Sequence, residues 1–215
     1  PDREISHFNL GHFHESRMQD RRAVKDYLRA LKLRPEMTEA SVNLGMLYYQ
    51  NGYLDSALYY FQNAVRHDPL DAAANLNLGL LFSELGYTDD AITALKIAYE
   101  QEQGATSAYN LAILYSETDP QSCLDYAEEA VNLDPDSPKY LYTYAFYLSQ
   151  YGQKQKSIML LEKALKNGIT SFDIYYLLGT MYKKKENEKL IKNLMEIIEK
   201  DESLSERERG YLKFQ

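Results

Sequence analysis

Three of the four histidines fall close together near the start of the chain, at His7, His12 and His14. The string from His14 to Met18, HESRM, is the first half of the metal-binding pattern H-E-x-x-H. That pattern needs a second His one helical turn later on the same face, and Met18 stands there. His12 and His14 are two apart, so on a helix they point in different directions. The single cysteine, Cys123, excludes an intrachain disulfide and occupies a place used by small residues, which reads as a core thiol. No G-x-x-x-x-G-K-[ST], no G-x-S-x-G and no cysteine pair with metal spacing occurs. The carboxylates fall mostly on outer helix faces. No catalytic constellation, metal or cofactor is therefore expected, and the chain does not read as an enzyme.

The elements that carry these residues follow from a period. Thr38 to Asp71 reads as a 34-residue helix–turn–helix unit, with Gly45 mid-way along its first helix. Ala57 and Ala64 lie on one face of its second helix. Gly52 is the stop of the first helix and Pro69 that of the second. Tyr48, Leu54 and Phe61 are expected to fill the space between them. Steps of 33 or 34 from Gly45 reach Gly11 and Gly79, then Ala112, Ala145 and Gly179. A Gly inside a helix costs about 1 kcal/mol relative to Ala, so a close helix contact is expected at these places. On the second helices, an Ala, a bulky residue and an Ala recur as Ala23, Tyr27, Ala30, then Ala57, Phe61, Ala64, then Ala91, Leu95, Ala98. The pattern weakens to Cys123, Ala127, Ala130, then Ser157, Leu161, Ala164, then Ile191, Met195, Ile198. Pro35, Pro69 and Pro135 close three of the units. A fixed period of this length marks a repeat architecture.

These residues resemble the tetratricopeptide repeat family, in six units starting near Glu4, Thr38, Ala72, Ala105, Pro138 and Phe172. The resemblance covers residues 4–200. It implies an all-α solenoid, a right-handed superhelix of antiparallel helix pairs, in one continuous array. Asp55 and Asp89 are expected just before second helices, as caps. Ser137-Pro138 is a helix start. Gln103-Gly104 stands where the pattern has Pro, so a looser join is expected there. The turn ETDPQSC is one residue short, and a change of pitch is expected at Asp119-Pro120. A charged turn, KKKENEK, runs from Lys183 to Lys189. Residues 201–215, with a capping box at Ser205 and Glu208, read as a helix covering the end of the stack or as the cut start of a further repeat.

The formal net charge of −8 over 215 residues argues against a nucleic-acid partner, which usually needs a basic face. The apolar runs are short and interrupted by charge, so no membrane span is expected. The sequence starts at Pro1 in mid-pattern, which reads as an excised fragment and leaves localisation open.

In the family resembled, first helices line a concave surface where partners bind. By that resemblance one groove column is Phe8, Val42, Leu76, Tyr109, Tyr142 and Tyr176. A second is His12, Met46, Leu80, Ile113, Phe146 and Thr180. A third is Glu15, Tyr49, Ser83, Ser116, Ser149 and Lys183. The fourth is Asn9, Asn43, Asn77 and Asn110, then Thr143 and Leu177. A continuous apolar stripe usually marks a binding surface. A side-chain amide donates and accepts, so the asparagines can pair with a peptide backbone without reading its sequence. O-linked N-acetylglucosamine transferase repeats are similar in using such a ladder; the other reading is that the amides pair with the neighbouring unit. The Lys and Arg clamp of chaperone-binding members is absent. The expected function is a protein-interaction scaffold that takes a protein or peptide partner in this groove. Two alternatives are self-association into a homo-oligomer and an accessory segment of a larger protein. YNLAILYSETDP and YLYTYAFYLSQYGQ are loosely similar to the repeat tails of multihaem cytochromes c, although no C-x-x-C-H is present.

Overall fold

The computed structural model describes residues 3–182 and 188–213. Residues 183–187 of the charged turn, with Lys183 of the third groove column, and Phe214 of the tail lie outside them. Among the described residues there are thirteen helices and no strand. They are α1 (Arg3–Glu15), α2 (Asp20–Leu33), α3 (Thr38–Gln50), α4 (Leu54–His67), α5 (Ala72–Glu84), α6 (Thr88–Gln101) and α7 (Ala105–Tyr115). Then follow α8 (Pro120–Leu133), α9 (Pro138–Gln150), α10 (Lys154–Lys166), α11 (Phe172–Met181), α12 (Glu188–Lys200) and α13 (Glu206–Tyr211). Contacts divide the chain into two compact units, Pro1–Leu114 and Tyr115–Gln215.

In the first unit, α1, α3 and α5 each pack against the helix that follows. The periodic glycines make this possible. A Cβ on Gly11 would lie 2.6 Å from the Tyr27 ring, one on Gly45 2.6 Å from the Phe61 ring, and one on Gly79 2.7 Å from Leu95. Each bulky residue therefore sits on bare backbone, flanked on its own helix by buried alanines. Full burial of such a side chain contributes about 1.5–3 kcal/mol. That exceeds the roughly 1 kcal/mol that a helical glycine costs. The next unit closes over the contact: Met37, Ala40, Leu44 and Leu47 join Tyr27 in one cluster.

The turns within the units have a common form. Gly52 and Gly86 adopt φ of +79° and +80°, where a side chain would be strained. Beyond them Tyr53 N–H bonds to the Tyr48 carbonyl at 2.9 Å and Tyr87 N–H to that of Phe82 at 2.8 Å. The same residues meet edge to face through their rings, Tyr48 with Tyr53 and Phe82 with Tyr87. This is the Schellman stop with its apolar contact. Met18 takes the equivalent place after α1 at φ +54°, with its side chain 90% exposed. Because α1 ends at Glu15, HESRM straddles a helix end, and Met18 does not share a helical face with His14.

Two cap expectations are corrected. Asp55 and Asp89 lie inside the first turns of α4 and α6, whose N-cap residues are Tyr53 and Tyr87. The turns are too short to leave the carboxylates outside, so they act on the helix dipole instead. Ser137 is the N-cap of α9, but its side chain makes no capping bond. The capping box of Ser205 and Glu208 is present.

In the second unit one core holds Leu141, Leu161, Ile174, Tyr175, Leu178, Leu194 and Ile198. Leu204 and Leu212 of the tail are buried in it as well. Ser157, which breaks the alanine pattern, is fully buried and donates to the Ala145 carbonyl at 2.6 Å. Buried phenols are tied to acids: Tyr175 donates to Asp201 and Tyr182 to Glu162, both at 2.8 Å. Burial, then the Glu128 carboxylate, pushes the Tyr144 pKa up to about 12. Burial, then the Cys123 thiol, takes that of Tyr151 up to about 12.

Three outcomes follow from this packing. Gly45→Leu and Gly79→Leu should each lower stability by about 1–3 kcal/mol or more in denaturant titrations, because the facing side chain must move. A parent-like midpoint for either would contradict the contact. Met18→Gly should raise stability by about 1 kcal/mol, since glycine removes the left-handed strain of an L-residue; a lowered melting temperature would contradict it. Tyr144 and Tyr151 stay protonated in the fold above the ordinary pKa of 10.0, whereas the unfolded chain loses those protons first. Stability should be complete below about pH 10 and fall as pH rises toward 12, and a flat unfolding midpoint across that window would oppose the assignment.

Candidate functional site

The candidate asparagines are placed by α1, α3, α5 and α7 of the first unit, and they are not equivalent. Asn9 is exposed on α1. Asn43 is half-buried, and its Nδ2 donates to the Tyr27 hydroxyl at 3.3 Å. Tyr27 in turn donates to Glu15 Oε2 at 2.5 Å. Burial first, and then the Glu15 bond, raises the Tyr27 pKa, so the phenol stays a donor. This chain ties α3 to α2 and α2 to α1. Asn77 and Asn110 bond within their own helices instead. Asn77 Nδ2 donates to the Ala73 carbonyl and Asn110 Nδ2 to the Thr106 carbonyl, each at 2.8 Å. One bond uses one of the two amide donors, so the second N–H and the oxygen are not consumed by it.

The apolar columns also divide. Val42 is buried with Ala64 and Ala74, and Met46 packs against Phe61 and Leu78 as well as against that group. Val42 is taken up by the scaffold, whereas Met46 stays half-buried. Leu76, Leu80 and Tyr109 are half-buried, and Ile113 is 37% exposed. Leu76 also lines a cavity of about 190 Å³ with Ala72, Ala73, Ala98, Glu102 and Gly104, at the join where the repeat pattern lacks its Pro. On α9 of the second unit, the rings of Tyr142 and Phe146 stack with centroids 6.1 Å apart. Tyr142 packs against that unit's core.

Several polar contacts were not anticipated from the sequence. Tyr49 donates to Glu84 Oε2 at 2.6 Å and so links the ends of α3 and α5. Asn75, fully buried, donates to the carbonyls of Pro69 and Asp71, both at 2.9 Å, and so holds the loop before α5. Asp26 is 6% exposed and lies 2.9 Å from His14 Nδ1, 3.7 Å from His7 Nδ1 and 3.3 Å from Arg29 Nη1. His7 and His14 are seven apart, and that spacing was the signal for a shared face. Among the described residues no group of three or more His, Cys, Asp or Glu could hold a metal ion. No helix of the described residues is long and apolar enough to cross a membrane.

Comparison with known proteins agrees with this geometry. Residues 21–66 and 48–108 match the family model of the tetratricopeptide repeat. No curated protein sequence matches the chain. Among solved structures, PilF of Pseudomonas aeruginosa is similar at 16% identity and a TM-score of 0.74, covering 98% of this chain and 96% of that one. YrrB, described as a tetratricopeptide repeat protein with an unusual peptide-binding site, is similar at 17% identity and a TM-score of 0.68, covering 87% of this chain and 97% of its own. MamA of Desulfovibrio magneticus RS-1 is 16% identical with a TM-score of 0.68, over 77% of this chain and 95% of that one. Residues 21–108 match the tetratricopeptide repeat by sequence, and the helices have the all-α solenoid fold of these structures.

Proposed function

We propose that the chain is a protein-interaction scaffold built of six repeats, and that it takes a partner segment on the first-helix face of its first unit. The observation that carries this reading is the contrast along that face. Val42 is buried and Asn43 is bonded to Tyr27, whereas Leu76, Leu80, Tyr109 and Ile113 keep apolar surface beside Asn77 and Asn110. The in-helix bonds of those two amides fix their orientation before a ligand arrives, which reduces the entropy lost on binding. An extended segment offers backbone N–H and C=O groups to the amides and apolar side chains to the strip. The peptide-binding site named for YrrB supports a use of this kind in the same fold.

The test separates the two kinds of asparagine. Asn77→Ala with Asn110→Ala should weaken a bound peptide by about 0.5–1.5 kcal/mol per residue in calorimetry, at an unchanged melting temperature. Asn43→Ala should lower the melting temperature, because it breaks the link to Tyr27. Unchanged affinity with a lowered melting temperature for the double variant would overturn the reading.

A further inference from the structure

Residues 35–114 contain ten acidic residues and two basic ones, Arg66 and Lys96, a balance of −8. That equals the net charge of the whole chain, so the remaining residues are balanced. The acidic stretch is α3 to α7, the part that carries the candidate face. Some of its carboxylates have local work: Asp71 accepts from Ala74 N–H at the start of α5, and Asp68 accepts from Leu70 N–H. Glu102 is placed differently. It is the C-cap of α6, and α6 has no basic residue in its last turn. The last carbonyls of a helix carry partial negative charge, so this carboxylate stands where the helix end deepens its potential.

Glu102 also lines the cavity beside Leu76. The other walls are mostly small or apolar, Ala72, Ala73, Ala98, Gly104 and Ala105, with Thr106 and Ser107 adding hydroxyl groups. A methyl group on Gly104 would meet only Glu102 O at 3.7 Å and Ser107 Oγ at 3.9 Å, so the mouth of the cavity has room. A mostly apolar cleft of about 190 Å³ with a carboxylate and two hydroxyls on it suits an amphipathic chain with a cationic head.

We propose that the segment bound by the first unit is basic, and that one of its Lys or Arg side chains lies in this cavity. The stem rests on Leu76 and the alanines, and the charged head meets Glu102. This rests on the reading of the face given above. It adds the chemistry of the partner: apolar residues for the strip, and a cation at one fixed register for Glu102. The field of the acidic stretch also draws such a partner in, faster at low salt.

The experiment selects a phage-displayed library of random short peptides on the full chain. One selected peptide, and its analogue with norleucine for the basic residue, are then titrated by fluorescence anisotropy. The proteins are the parent, Glu102→Gln, Gly104→Val and the double variant Asn77→Ala, Asn110→Ala. The selected peptides should share a Lys or Arg at one register. Norleucine should weaken binding to the parent about three- to fivefold, the range of an exposed ion pair, and have no effect on Glu102→Gln. Gly104→Val, which narrows the cavity, should weaken the basic peptide at an unchanged melting temperature. Peptides that bind through the asparagines without a basic preference would overturn this inference and leave the face standing. Failure to select any peptide would overturn both.

Discussion

The contact between a glycine on one helix and a bulky residue on the next fixes much else in the first unit. With Gly79 bare, Leu95 reaches the backbone of α5 and the two helices close to that distance. The position of the contact then decides what α5 presents elsewhere. At about 100° per residue, Leu76, Leu80 and Asn77 lie roughly 60° to 160° around the helix from Gly79. The candidate strip is the face left over once the glycine is buried. Gly45 and Phe61 set α3 in the same way. There the neighbouring side chains are drawn into the core, with Val42 and Met46 packed and Asn43 bonded to Tyr27.

Much of the fold was legible because its signals are local. Helices α3, α5, α7, α9 and α11 begin at Thr38, Ala72, Ala105, Pro138 and Phe172, the residues from which the sequence period counts. Gly52 stops α3 at positive φ, and the bulky residue facing each glycine is the one between the two alanines. What stayed hidden depends on side-chain direction and on pairs far apart in sequence. The ladder of asparagines looks uniform as text. In three dimensions Asn43 reaches a tyrosine sixteen residues earlier, whereas Asn77 and Asn110 fold back on their own helices. The His7, His14 and Asp26 group was not legible in the sequence because it joins two turns of α1 to a carboxylate on α2. The cap roles of Asp55 and Asp89 failed by two positions, since the tyrosine after each turn glycine already occupies the N-cap.

Charge and packing vary along the chain in different ways. Close glycine contacts are seen in the first three helix pairs, and the acidic excess lies in α3 through α7. The second unit also has a serine bonded to a carbonyl, buried phenols bonded to carboxylates, and a tail whose leucines join the core. On the proposed reading, stability and recognition draw on different residues. Tyr27, Phe61 and Leu95 hold the frame, while Leu76, Leu80, Asn77 and Asn110 are only half-buried.

The most direct measurement of the central claim is a side-chain amide spectrum of the ¹⁵N-labelled chain during titration with a library-selected peptide. A definite pattern is expected. The NH₂ resonances of Asn77 and Asn110 shift with saturation, and that of Asn43, held by Tyr27, stays in place. Saturable binding with Asn77 and Asn110 unmoved would contradict it.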